Sequence, residues 1–85
     1  MTKGEPVFHT RLRMLRTERS LSRRELAEKV GVHYQTIGYI ERAEYSPSLE
    51  VALHIAQVFD LPVDAIFSLE PFPPLGAAAL TGQSG

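Results

Sequence analysis

The chain has no cysteine and no tryptophan, and after Arg42 it has no lysine or arginine. Without thiols, its 85 residues can build neither disulfides nor thiolate metal sites. No apolar run approaches the roughly 20 residues needed to span a bilayer, and the N-terminus lacks the apolar stretch of a secretory leader. These absences give the expectation of a cytoplasmic protein with no membrane partner. Catalytic chemistry is equally thin. His9, His33 and His54 do not have metal-ligand spacing, no glycine-rich phosphate loop is present, and no stretch suggests a nucleophile poised on a strained turn. No catalytic residue, metal or cofactor is expected, and the function should lie in a surface.

Charge is scarce in sum but not in distribution. The formal net charge of -1 argues against a strong grip on nucleic acid. Yet all nine basic residues fall within 1–42 beside five glutamates, a surplus of +4, whereas the remainder carries five acids and no base, or -5. A polarised molecule of this kind can present a basic face although its total is near zero. At this length the chain should form one small domain, with a core worth only a few kcal/mol, so self-association would help it.

The most structured stretch runs over 21–41. Ser22 followed three residues later by Glu25 is a capping box, which predicts a helix beginning at Arg23. Leu26, Ala27 and Val30 share one helical face, and Gly31 supplies the left-handed residue that ends the helix. Beyond Val32 and His33, Ile37 and Ile40 mark a second inward face, leaving Tyr34, Gln35, Gly38 and Tyr39 outward. Two amphipathic helices split by a glycine turn make a helix-turn-helix, whose second helix can enter a DNA major groove.

With Ala27 at a close helix crossing, Gly31 at the turn and Ile37 with Ile40 behind it, the sequence resembles the XRE family of lambda-repressor-like helix-turn-helix regulators. The likeness covers about 10–67 and is strongest over 21–41 and 47–67. It implies an all-α, compact five-helix domain over 10–68, preceded by an arm over 1–9 and followed by a Pro/Gly-rich tail over 69–85. It also implies sequence-specific DNA binding as a homodimer that regulates transcription as a repressor, with double-stranded DNA as the partner. Arg16 and Glu41 stand where the family has an ion pair tying the first helix to the third. Arg23 stands where many members carry a glutamine that touches the DNA backbone.

Within that frame, Gln35 is the strongest base reader, because its amide can pair with adenine N6 and N7. Tyr34, Thr36 and Tyr39 accompany it. Arg23 and Arg24 oppose the helix dipole in the first turn of helix 2, which a docked phosphate would offset. Arg11, Arg13 and Arg42 complete the expected phosphate grip. Gly38 is read either as a means of close approach or as a small exposed residue.

Some positions depart from the family pattern. His33 replaces the usual serine or threonine cap and can serve only with a neutral acceptor nitrogen. Ala43 stands where a glycine is often found, and Glu44 where a basic residue is common. This acidic loop keeps two alternatives open: an antitoxin-like DNA-binding protein that also masks a partner, or a protein-interaction module that has kept the fold without DNA.

In the remainder, Ser48 should cap a helix burying Leu49, Ala52, Leu53, Ile55, Ala56 and Phe59, with His54 outside. Pro62 should start a short fifth helix ending near Ile66 and Phe67. Tyr45 on the loop, and Phe72, Leu75 and Leu80 in the tail, are the candidate contacts for a second subunit or another protein.

Overall fold

The computed structural model describes residues 7–73. Its elements in order are strand β1 (His9–Thr10), helices α1 (Leu12–Glu18), α2 (Arg23–Val30), α3 (Tyr34–Glu41) and α4 (Leu49–Phe59), a single 3-10 turn at Val63–Ala65, and strand β2 (Phe67–Ser68). The expected fifth helix is therefore one turn long. Ile66 dives fully into the core, and the chain after it runs extended so that Phe67 pairs with Thr10 and Ser68 with His9, antiparallel. The Arg11 amide donates to the Ile66 carbonyl at 2.9 Å and continues that closure. A helix could not have run on toward Pro71 in any case.

Each helix start is fixed by a local acceptor. Thr10 Oγ1 accepts from the Leu12 amide at 3.1 Å, just ahead of α1. At α2 the capping box is complete: the Glu25 amide donates to Ser22 Oγ at 2.9 Å, and the Ser22 amide to Glu25 Oε1 at 2.8 Å. His33 Nδ1 accepts from the Gln35 amide at 3.2 Å, so the ring caps α3 through that nitrogen, and Ser48 Oγ accepts from the Val51 amide at the head of α4.

The helix ends share one design. Ser20, Gly31, Ala43 and Asp60 all lie at positive φ, between 55° and 78°. After each, the next amide reaches back five residues: Leu21 to Arg16, Val32 to Ala27, Glu44 to Tyr39, and Leu61 to Ala56. This is the Schellman closure, which satisfies the last carbonyls of a helix. Only Gly31 adopts the conformation without steric cost.

The core gathers Leu12, Leu26, Ala27, Val30, Ile37, Ile40, Ile55, Ala56, Phe59 and Ile66, with α2 packed against both α3 and α4. Phe8, read in sequence with the N-terminal arm, is buried and meets Phe67 edge-on at 5.9 Å. Along α4 the expectation needs correction. Ala52, Ile55, Ala56 and Phe59 are buried, but Leu49 and Leu53 are 73% and 49% exposed. The stripe 52, 55, 56, 59 faces inward at helical spacing, and the stripe 49, 53, 57 lies on the neighbouring face.

Candidate nucleic-acid interface

The inner side of α3 is spent on the core through Ile37 and Ile40, and this fixes what its outer side presents. Gln35 is exposed and Tyr39, one turn on, is 46% exposed, so the two stand side by side. Thr36 is half-buried, and its amide donates to the His33 carbonyl. Tyr34 is engaged within the chain. Its ring stacks on His33 at 4.7 Å between centroids, and the Arg24 guanidinium lies 4.3 Å over the same ring. Arg24, Tyr34 and His33 form a cation–aromatic group at the adjoining starts of α2 and α3.

Glu41 is the electrostatic centre. Its side chain is 1% exposed. It accepts from Arg16 Nε at 2.5 Å on one oxygen and from Arg23 Nε at 3.1 Å on the other. Arg16 also donates through Nη1 to the Leu21 carbonyl at 2.8 Å, just past the end of α1. One carboxylate thus ties α1 and α2 to the end of α3, and the three groups together carry one positive charge. Arg16 and Glu41, the positions to which the family resemblance pointed, meet directly. Arg23 is added to them, which the sequence did not show, and its side chain remains 42% exposed.

The other candidate phosphate contacts are held to different degrees. Arg13 is exposed on α1. Arg11 lies 4.2 Å from the centre of the Phe72 ring, so both residues are engaged with each other within one chain. Arg42 pairs with Glu44 at 3.2 Å and lies 5.3 Å over Tyr39. Tyr45 is 53% exposed, whereas Leu75 and Leu80 lie outside the described residues.

Two residues carry more than the sequence reading gave them. The sequence spacing puts Gly38 among the outward positions of α3, but it is buried. A Cβ there would sit 3.2 Å from Arg42 Nη1 and 3.7 Å from Arg23 Nε, so two guanidinium groups lie across the bare backbone. The i, i+4 spacing of Gly38 and Arg42 was the available signal. Arg19 donates through Nη2 to the Phe59 carbonyl at 2.9 Å and lies over the Phe59 ring, joining the end of α1 to the end of α4.

A family model described as helix-turn-helix matches residues 12–66. The chain belongs to the XRE-type helix-turn-helix family. Its relatives carry names of regulators. An uncharacterized HTH-type transcriptional regulator of Archaeoglobus fulgidus is 41% identical over 60 residues, covering 71% of this chain and 86% of that protein. The cryptic phage CTXphi transcriptional repressor RstR of Vibrio cholerae is 32% identical over 62 residues, or 73% of this chain and 56% of RstR. Among solved structures, the restriction-modification controller protein C.AhdI of Aeromonas hydrophila superposes with a TM-score of 0.58 at 36% identity, over 62% of this chain and 80% of that one. In this helix-turn-helix protein the matched residues run from the first residue of α1 to Ile66, the core residue that follows the 3-10 turn.

Proposed function

We propose that this helix-turn-helix protein represses transcription by binding a short palindromic DNA operator as a homodimer, with α3 of each copy in the major groove. The observation that carries this reading is the outer face of α3, where Gln35 and Tyr39 are exposed between the arginines of α2 and Arg42. Gln35 would read a base edge, with Tyr39 and Thr36 beside it and Tyr34 setting the approach from its stack. Arg11, Arg13, Arg23, Arg24 and Arg42 would meet phosphates, each neutralised phosphate adding about -0.9 to the salt slope of binding. Half-sites would lie about one helical turn apart.

For the second copy, the exposed apolar side chains offer a face among the described residues. Leu49 lines a shallow apolar hollow with Val7, Val63 and Leu69, and Val63 carries the same surface on to Leu53. That surface also supports the alternative of a masked or masking protein partner.

The deciding experiment is selection from random duplexes at two salt concentrations, with wild type beside Gln35→Ala. Enrichment of a palindrome that relaxes at one position per half-site in the variant supports the reading. Salt-dependent binding without enrichment leaves a non-specific DNA module, and no binding at low salt turns the search to the apolar face and a protein partner.

A further inference from the structure

Gln35, Gly38, Tyr39 and Arg42 fall on one stripe of α3, and the two guanidinium groups over Gly38 sit at its C-terminal end. Both are held through Nε by a carboxylate, Arg23 by Glu41 and Arg42 by Glu44. The two carboxylates differ in kind. Glu41 is buried, shared with Arg16 and built into the packing of three helices. Glu44 is 55% exposed, stands on the turn that Ala43 makes at φ 57°, and has Arg42 as its only ionic partner among the described residues. Its amide is fixed by the bond to the Tyr39 carbonyl, so the side chain starts from a set position next to the arginine.

We propose that Glu44 is an internal competitor for DNA: its carboxylate occupies Arg42 where a backbone phosphate would dock, and binding requires exchanging one anion for the other. The inference rests on the reading of α3 as the DNA-facing helix. Carboxylate and phosphodiester are both singly charged oxygen acceptors for a guanidinium, so they compete for the same donors. The exchange is feasible because the pair is about half exposed, and such pairs contribute at most about a fivefold factor in an equilibrium. A released Glu44 also faces the incoming phosphates as a like charge. Contacts made on the backbone alone are therefore weakened, and binding comes to depend more on what Gln35 finds in the groove.

The test is the affinity of the full chain for a fluorescent generic duplex at low salt, measured for wild type, Glu44→Gln, Arg42→Gln and the double variant. Glu50→Gln, which removes a charge on α4 whose side chain is 85% exposed against 55% for Glu44, controls for net charge. We expect Glu44→Gln to tighten binding about two- to fivefold, Glu50→Gln to change it less than about twofold, and most of the Glu44 effect to be lost when Arg42 is absent. The salt slope of Glu44→Gln should steepen by up to about 0.9 as Arg42 engages a phosphate. An equal gain from Glu50→Gln, or an undiminished gain in the Arg42→Gln background, overturns the competitor role while leaving the DNA reading intact. Absence of binding by every variant overturns both.

Discussion

Glu41 divides its two carboxylate oxygens between Arg16 and Arg23, so one buried anion holds the first, second and third helices in register. Arg16 is only 14% exposed, and no other carboxylate is in reach of it among the described residues. Glu41→Gln would leave that cation buried without its charge partner. Loss of one side of a buried pair costs about 3–5 kcal/mol, which rivals the whole stability expected of a domain this small. Urea titration should therefore show Glu41→Gln largely unfolded or with a sharply lowered midpoint. Replacing both partners with apolar residues of similar size should restore much of the loss. A Glu41→Gln midpoint close to wild type would contradict the role assigned to the pair.

Much of this frame was legible in the sequence because its signals are local. The Ser22–Glu25 box, the left-handed Gly31 and the inward positions 26, 27, 30, 37 and 40 each depend on neighbours within a turn or two. The Arg16–Glu41 bridge spans 25 positions and came from family resemblance, not from spacing. What escaped was non-local or carried no distinctive residue. Three of the four helix-ending left-handed positions are Ser20, Ala43 and Asp60, which lack the glycine that marks such a turn. The pairing of 9–10 with 67–68 involves two residues on each side, too few for any alternation to be visible. Leucine at helical spacing resembles core, which points Leu49 and Leu53 inward, yet the face they occupy is settled by where α2 packs.

Gly38 joins stability to function in opposite directions. An alanine there removes the helix-propensity cost of glycine, about 1 kcal/mol. Its methyl would arrive 3.2 Å from Arg42 Nη1, the end of a flexible side chain that can move away. Gly38→Ala should therefore raise the thermal midpoint while displacing Arg42 from the reading stripe and weakening DNA binding severalfold. Calorimetry and duplex titration on the same preparation check both halves. A variant that is less stable would show that the guanidinium cannot yield.

Glu25 makes the head of α2 sensitive to acid. The Ser22 amide, and after it the Ser22 hydroxyl, hold its carboxyl below the usual range; desolvation acts the other way and Lys29 adds to the lowering. A carboxylate whose folded value is depressed stabilises the fold fully above its unfolded pKa of about 4.3, and that contribution is lost as pH falls through the folded value. Glu25→Gln should thus melt below wild type at neutral pH, with the difference closing under acid. A gap that is constant with pH would mean that the box acts through hydrogen bonding alone.

The exposed leucines of α4 belong to the face proposed for a second copy. Leu49 at 73% and Leu53 at 49% exposure share a face, and Val63 joins their surroundings into one apolar surface. If two chains meet there, Leu53→Glu places a carboxylate in a dry contact while leaving the monomer's core untouched, since the side chain already lies outside it. Burying an unsatisfied neutral polar group costs about 1–3 kcal/mol and a carboxylate more, and each dimer carries two, so the dissociation constant should rise at least about 100-fold. Light scattering across a concentration series reads this directly, and the circular dichroism of the variant should match wild type. Because two linked half-sites bind more tightly than one, the variant should also lose affinity for a palindrome far more than for a single half-site. A wild type that stays monomeric at all concentrations would remove the dimer from the proposed mechanism and leave the apolar face for a different protein.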